Sequence, residues 1–149
     1  IVAPEYGWND YKDLDVKGKT VIVLVNDPGF GSTDKSFFKG NEMTYYGRWT
    51  YKFEEAVRQG VEGILIIHQD RPAGYPWSVV LNSASVPKLY QQAKDNYQSR
   101  CLVEGWITFD AAKQLFADAD KNLDTETQLA KQKEFTGFNL STSLKVRNT

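Results

Sequence analysis

Thr20-Val21-Ile22-Val23-Leu24-Val25, then the stretch from Trp49 to Gly60, then Gly63-Ile64-Leu65-Ile66-Ile67-His68 together decide the fold. The first run is β-branched and aliphatic almost without a break, which marks a strand covered on both faces. Trp49, Phe53, Ala56, Val57 and Gly60 fall at i, i+4, i+7, i+8 and i+11. That spacing is one face of a helix over about 48–59, with Lys52, Glu55 and Arg58 off the face. Gly60 is a natural stop, because a helix commonly ends on a glycine in the left-handed conformation. The third run reads as a second buried strand. Strand, helix and strand at this spacing predict a βαβ unit with a parallel pair, and hence the α/β class.

Upstream, residues 1–14 are rich in Trp, Tyr, Asn and Asp and read as an irregular lead-in. Asp15-Val16-Lys17-Gly18-Lys19 is a turn. Asn26-Asp27-Pro28-Gly29-Phe30-Gly31 breaks the first strand and opens a loop that runs to about Tyr46. Downstream, Trp77-Ser78-Val79-Val80-Leu81 reads as a short strand, 91–100 as a polar loop or hairpin tip, and 102–107 as a strand. Thr108 caps a following helix that carries Asp110, Ala111, Ala112, Leu115 and Phe116. A second helix is expected over 125–134, since Thr125-x-x-Gln128 has the form of a capping box. The alternation from Phe138 to Val146 predicts a final strand. There is no internal repeat, no low-complexity stretch and no second domain, so 1–149 reads as one domain.

The 149 residues include 18 basic and 19 acidic ones, for a net charge of −1. With a pI near 5.9, this balance argues against nucleic acid or an anionic membrane as main partner, because both call for a basic stripe. A chain of this size buries about 70% of its unfolded surface and needs no disulfide or metal to hold a core. Cys101 is the single cysteine and reads as a small buried residue at the start of a strand. No apolar run approaches the roughly 20 residues of a membrane span, and no signal peptide is present. The opening Ile1-Val2-Ala3-Pro4 and the closing Leu144-Lys145-Val146-Arg147-Asn148-Thr149 suggest a domain excised from a larger protein.

The chemistry-bearing residues are sparse. His68 is the only histidine; it ends a buried strand, where α/β folds gather binding residues, but without partners it reads as structural. Asp118-Ala119-Asp120-Lys121-Asn122-Leu123-Asp124-Thr125-Glu126 resembles a calcium loop, yet Leu123 and Leu129 stand where such a loop requires Gly and Glu. It reads instead as a helix connection capped by Asp124 or Thr125. The glycine-rich Asp27–Ser32 segment (27–32) lacks the Gly-Lys-Ser/Thr ending of a phosphate loop. No serine sits in a Gly-x-Ser-x-Gly elbow, and Glu54-Glu55 is not an acid/base pair. No catalytic residue and no metal ligand are therefore assigned. The aromatic loop segments are the most suggestive: Tyr45, Tyr46 and Arg48 at the start of a helix, and Trp77 in Tyr75-Pro76-Trp77, are residue types enriched at interfaces.

Several segments carry a family resemblance. The segment 15–25 and the segment 52–67 resemble the entry strand and the helix–strand unit of a protease-associated (PA) domain. Ala3-Pro4-Glu5-Tyr6-x-Trp8-Asn9-Asp10-Tyr11, Val25-Asn26-Asp27-Pro28-Gly29, Met43-Thr44-Tyr45-Tyr46-Gly47-Arg48-Trp49-Thr50-Tyr51-Lys52 and Glu104-Gly105-Trp106-Ile107-Thr108 are similar to the PA domain inserted in bacterial two-zinc aminopeptidases. The resemblance implies a compact α/β sandwich with flanking helices, placed as a lid or substrate-access element beside a secreted or periplasmic peptidase domain. The zinc ions and the catalytic residues would belong to that domain, with no cofactor in this chain. The expected partners are the parent's peptidase domain and its peptide substrates. The alternative is an independent peptide- or protein-binding module of a secreted protein. A hydrolase in its own right would need a nucleophile–base pair that the sequence does not offer.

Overall fold

The computed structural model describes residues 1–87, 89 and 91–147. Val2–Ala3 (β1) pairs antiparallel with Trp8–Asn9 (β2) around a single 3-10 turn at Pro4–Tyr6. The lead-in is thus more ordered than its composition suggests. Its rings explain why: Ile1, Ala3, Trp8, Phe38 and Tyr51 form a buried cluster of their own, with Phe38 stacked on Tyr6 at 4.1 Å.

Thr20–Leu24 (β3), Gly63–His68 (β4) and Val103–Thr108 (β5) form a three-stranded parallel sheet in the order β3-β4-β5. Trp49–Arg58 (α1) connects β3 to β4, so the βαβ unit and the α/β class read from the sequence are present. Alternation sorts the side chains between the two faces. Val21, Val23, Ile64 and Ile66 pack with Phe53 and Ala56 on the α1 side. Ile22, Leu24, Ile67 and Ile107 pack on the other side against Phe109–Ala117 (α4) and Leu123–Leu129 (α5), with Phe138 and Leu140 closing that core.

Helix α1 ends as its glycine requires. Gly60 takes φ +74, Val61 N donates to Ala56 O and Gly60 N donates to Val57 O, the paired bonds of a Schellman stop. The expected stripe is buried in part, since Ala56 is fully buried and Phe53 packs against the sheet, but burial extends to a second side. Tyr51, Lys52, Glu55 and Ala56 are buried, whereas Trp49 is 45% exposed. The reason is the ordered N-terminal cluster, which covers a second side of the helix: Tyr51 Oη donates to the Val2 carbonyl at 2.9 Å.

Three further expectations are corrected. Trp77–Ala84 is a helix (α3), preceded by the four-residue Asp70–Ala73 (α2), and not a strand. Pro76 stands at its N-cap in an extended conformation, and no side chain caps the helix. Helix α5 starts at Leu123, not at Thr125. Asn122 Oδ1 accepts from Thr125 N at 2.9 Å, so Thr125 supplies the capped N–H and neither Asp124 nor Thr125 is the cap. Residues 138–146 form no strand: Phe138 and Leu140 pack into the α4–α5 core, Lys121 stands over the Phe138 ring, and Ser141 N donates to Asn139 Oδ1 at 2.8 Å. Thr108 caps α4 as expected, its Oγ1 accepting from Ala111 N at 3.1 Å. No helix among the described residues is long and apolar enough to cross a membrane.

Candidate functional site

The three parallel strands end level. Leu24 pairs with Ile67, Ile67 with Ile107, and His68 with Thr108. In α/β sheets this carboxyl edge is where ligands bind. Here it opens into a cleft of about 1090 Å³, lined by Phe30, His68, Asp70, Arg71, Trp77 and Asp110 among others. Three residues beyond the level positions Leu24, Ile67 and Ile107 stand Asp27, Asp70 and Asp110.

The three aspartates have different fates. Asp27 is buried and committed to the loop: it accepts from Gly29 N at 3.0 Å, Thr44 N at 2.9 Å and Thr44 Oγ1 at 2.6 Å. Asp70 is the first residue of α2, with its side chain 68% exposed. Asp110 is exposed in the first turn of α4, where the helix dipole favours a negative charge. Both remaining carboxylates face the cleft.

His68 is only 3% exposed. Its ring is walled by Tyr75 at 5.6 Å, Trp77 at 5.5 Å and Trp106 at 5.8 Å between centroids. Nδ1 stands 3.4 Å from Asp70 Oδ1, and Nε2 is buried without a hydrogen-bond partner. Asp70 thus stands on the Nδ1 side of the ring; in the tautomer that carries the proton on Nδ1, Nε2 is an acceptor. A buried acceptor without a donor costs about 1–3 kcal/mol, so the arrangement stores an unmet hydrogen bond at the cleft wall.

Among the described residues that line the cleft there is no serine, cysteine or lysine. Cys101 packs half-buried with Ala56, Val61 and Ile64 at the entrance of β5, away from the strand ends, and burial pushes its thiol up. Among the described residues no three His, Cys, Asp or Glu side chains are grouped to hold a metal ion. In the 118–126 segment, Asp124 pairs with Lys113 at 3.0 Å and Glu126 with Lys121 at 3.6 Å, while Asp118 accepts from Gln114 Nε2 at 2.7 Å.

The four residues singled out in the sequence fall in two places. Trp77 lines the cleft and covers His68; Tyr45, Tyr46 and Arg48 belong to the entry of α1 and do not line it. Tyr45 is 53% exposed and donates to Glu54 Oε2 at 2.6 Å, which raises its pKa. Tyr46 is half-buried and donates to both Glu5 oxygens at 2.7 and 2.9 Å; that bond, with some desolvation, pushes it up to about 12. Arg48 is exposed at the N-cap of α1, where no side chain caps the helix. Asp70 and Asp110 escaped the sequence reading as site residues. Their signal was their equal offset from the strand ends, visible only once the register of all three strands is known.

A second cavity, of about 590 Å³, runs along β3, whose outer edge carries no strand among the described residues. Lys52 lines it and is 7% exposed. Burial lowers its ammonium to about 8, although Asp10 and Asp27 pull the other way.

Comparison with known protein families, with curated proteins and with solved structures finds no match to this chain.

Proposed function

We propose that the chain is a PA domain of a zinc-dependent, two-zinc aminopeptidase. In this reading it is a non-catalytic accessory element that contacts the peptidase domain and shapes the path of peptides to it. The parent would be a secreted or periplasmic enzyme, with both zinc ions and the hydrolytic residues in the peptidase domain. The observation that carries an interaction role is helix α3. Its sequence, Trp-Ser-Val-Val-Leu-Asn-Ser-Ala, is mostly apolar, yet the helix contains no buried residue. Val79, Leu81 and, just beyond it, Val86 are exposed. A run of uncovered apolar side chains on one helix marks a surface that another protein surface covers. The exposed Tyr45, Arg48 and Trp49 add a second patch with interface chemistry.

The test is kinetic. Aminoacyl anilides incubated with zinc and the isolated chain should show no turnover. The parent should hydrolyse them, and Arg48→Ala in the parent should raise KM for long peptides more than for dipeptides. Turnover by the isolated chain that survives repurification and chelation, or unchanged KM for every substrate in Arg48→Ala, contradicts the proposal. A coding sequence without zinc-ligand motifs on either side of the chain favours the independent binding module instead.

A further inference from the structure

We propose that the cleft at the strand ends is a binding site for a primary ammonium group carried on a short apolar body, with Trp77 as its door. Three features of the cleft select that chemistry. First, its unmet polar group is Nε2 of His68, buried without a partner while Asp70 stands on the Nδ1 side, and in the Nδ1–H tautomer that nitrogen accepts. A ligand that satisfies it must bring an N–H or O–H. Second, the charges facing the cleft are Asp70 and Asp110 against Arg71 alone, so a cationic donor is favoured over an anion. Third, Phe30, Trp77 and Phe109 line the same cleft, and aromatic faces take both an apolar body and a cation. A bare metal ion does not fit, since the described residues group no three ligands for one.

Nε2 is closed off in the structure, and the closure is of a kind that opens readily. Of the three rings around His68, Trp77 is the one that also lines the cleft. It is the first residue of α3, a helix without a buried residue to anchor it. Displacing such a segment breaks few apolar contacts, so its opening costs little. The ligand ammonium then donates to Nε2 and pairs with the Asp70 and Asp110 carboxylates. Its side chain lies against the rings.

Two sources carry this chemistry: the amino end of a peptide and the side chain of lysine. The first deepens the accessory-domain reading and rests on it. A titration of the full chain, followed by the NMR signals of His68 Hε1 and the Trp77 indole, separates the outcomes. Leucinamide, or Nα-acetyl-lysinamide, should shift both signals saturably at about millimolar concentration or below. N-acetyl-leucinamide, which lacks the charge, should not. Leucinamide binding alone assigns the site to peptide ends, and Nα-acetyl-lysinamide binding alone assigns it to lysine side chains. Asp110→Asn, an exposed change that leaves the fold intact, should weaken the amine by about fivefold. Failure of both amines to bind, equal binding of N-acetyl-leucinamide, or an unchanged affinity in Asp110→Asn overturns the proposal. None of these failures touches the accessory role, which is read by KM in the parent.

Discussion

Asn26 donates its side-chain amide to the carbonyl of Pro72 at 2.8 Å and thereby ties the exit of β3 to helix α2. The same residue accepts from Asp27 N through Oδ1 at 2.8 Å and donates its backbone N–H to Gly47 O at 3.0 Å. It does so at φ +70, a left-handed conformation that asparagine tolerates better than most residues. One buried residue thus joins three segments, through its side chain and its backbone.

Asn26→Ala should therefore destabilise the chain by about 1–3 kcal/mol, because it removes two side-chain bonds and leaves alanine in a left-handed conformation. Gly47→Ala attacks the same joint from the other side. A Cβ there would stand 2.9 Å from Asn26 Oδ1 and 3.1 Å from its Cα. Urea denaturation checks both, and a change below about 0.5 kcal/mol in either would contradict the joint.

Lys52 predicts a pH dependence. Its folded-state ammonium is lowered to about 8 by burial, from an ordinary 10.5. Between those values the unfolded chain holds a proton that the folded chain has released, so this group makes stability rise with pH from about 8 toward 10. Below that window the folded state bears the full cost of a buried charge. Tyr46 and Tyr51, each pushed up to about 12, act in the opposite direction, but only above pH 10. Lys52→Met should remove the rise between pH 8 and 10 in urea melts; an unaltered slope would place its origin elsewhere.

The caps of α5 give a sharper contrast. Asn122→Ala should cost about 1 kcal/mol, since Asn122 Oδ1 accepts from Thr125 N. Thr125→Ala should cost less than about 0.5 kcal/mol, because Thr125 supplies only its backbone N–H and its side chain is exposed. Thermal melts of the two variants distinguish the observed cap from the capping box that the sequence pattern offers.

The sheet was legible because Val21–Leu24 and Ile64–Ile67 are apolar at every position, a pattern that depends on no distant partner. Thr108 was legible for the same reason, since a cap is a local bond. What escaped depends on context. Trp77-Ser78-Val79-Val80-Leu81 has strand-like composition, yet it pairs with neither edge of the sheet and forms a helix behind Pro76. The second buried side of α1 follows from a second cluster, built by Ile1, Trp8 and Phe38, that the lead-in's polar composition concealed. The site was half legible. His68 stood out at the end of its strand, but its cage of Tyr75, Trp77 and Trp106 comes from two separate segments.

The most direct test of the accessory-domain reading is amide hydrogen exchange along α3, in the isolated chain and in the parent protein. Val79, Leu81 and Val86 are exposed here, and α3 has no buried residue, so its amides should exchange with little protection in the isolated chain. A peptidase domain covering that face should slow them by at least about tenfold in the parent. Equal exchange rates along α3 in the two proteins would contradict it.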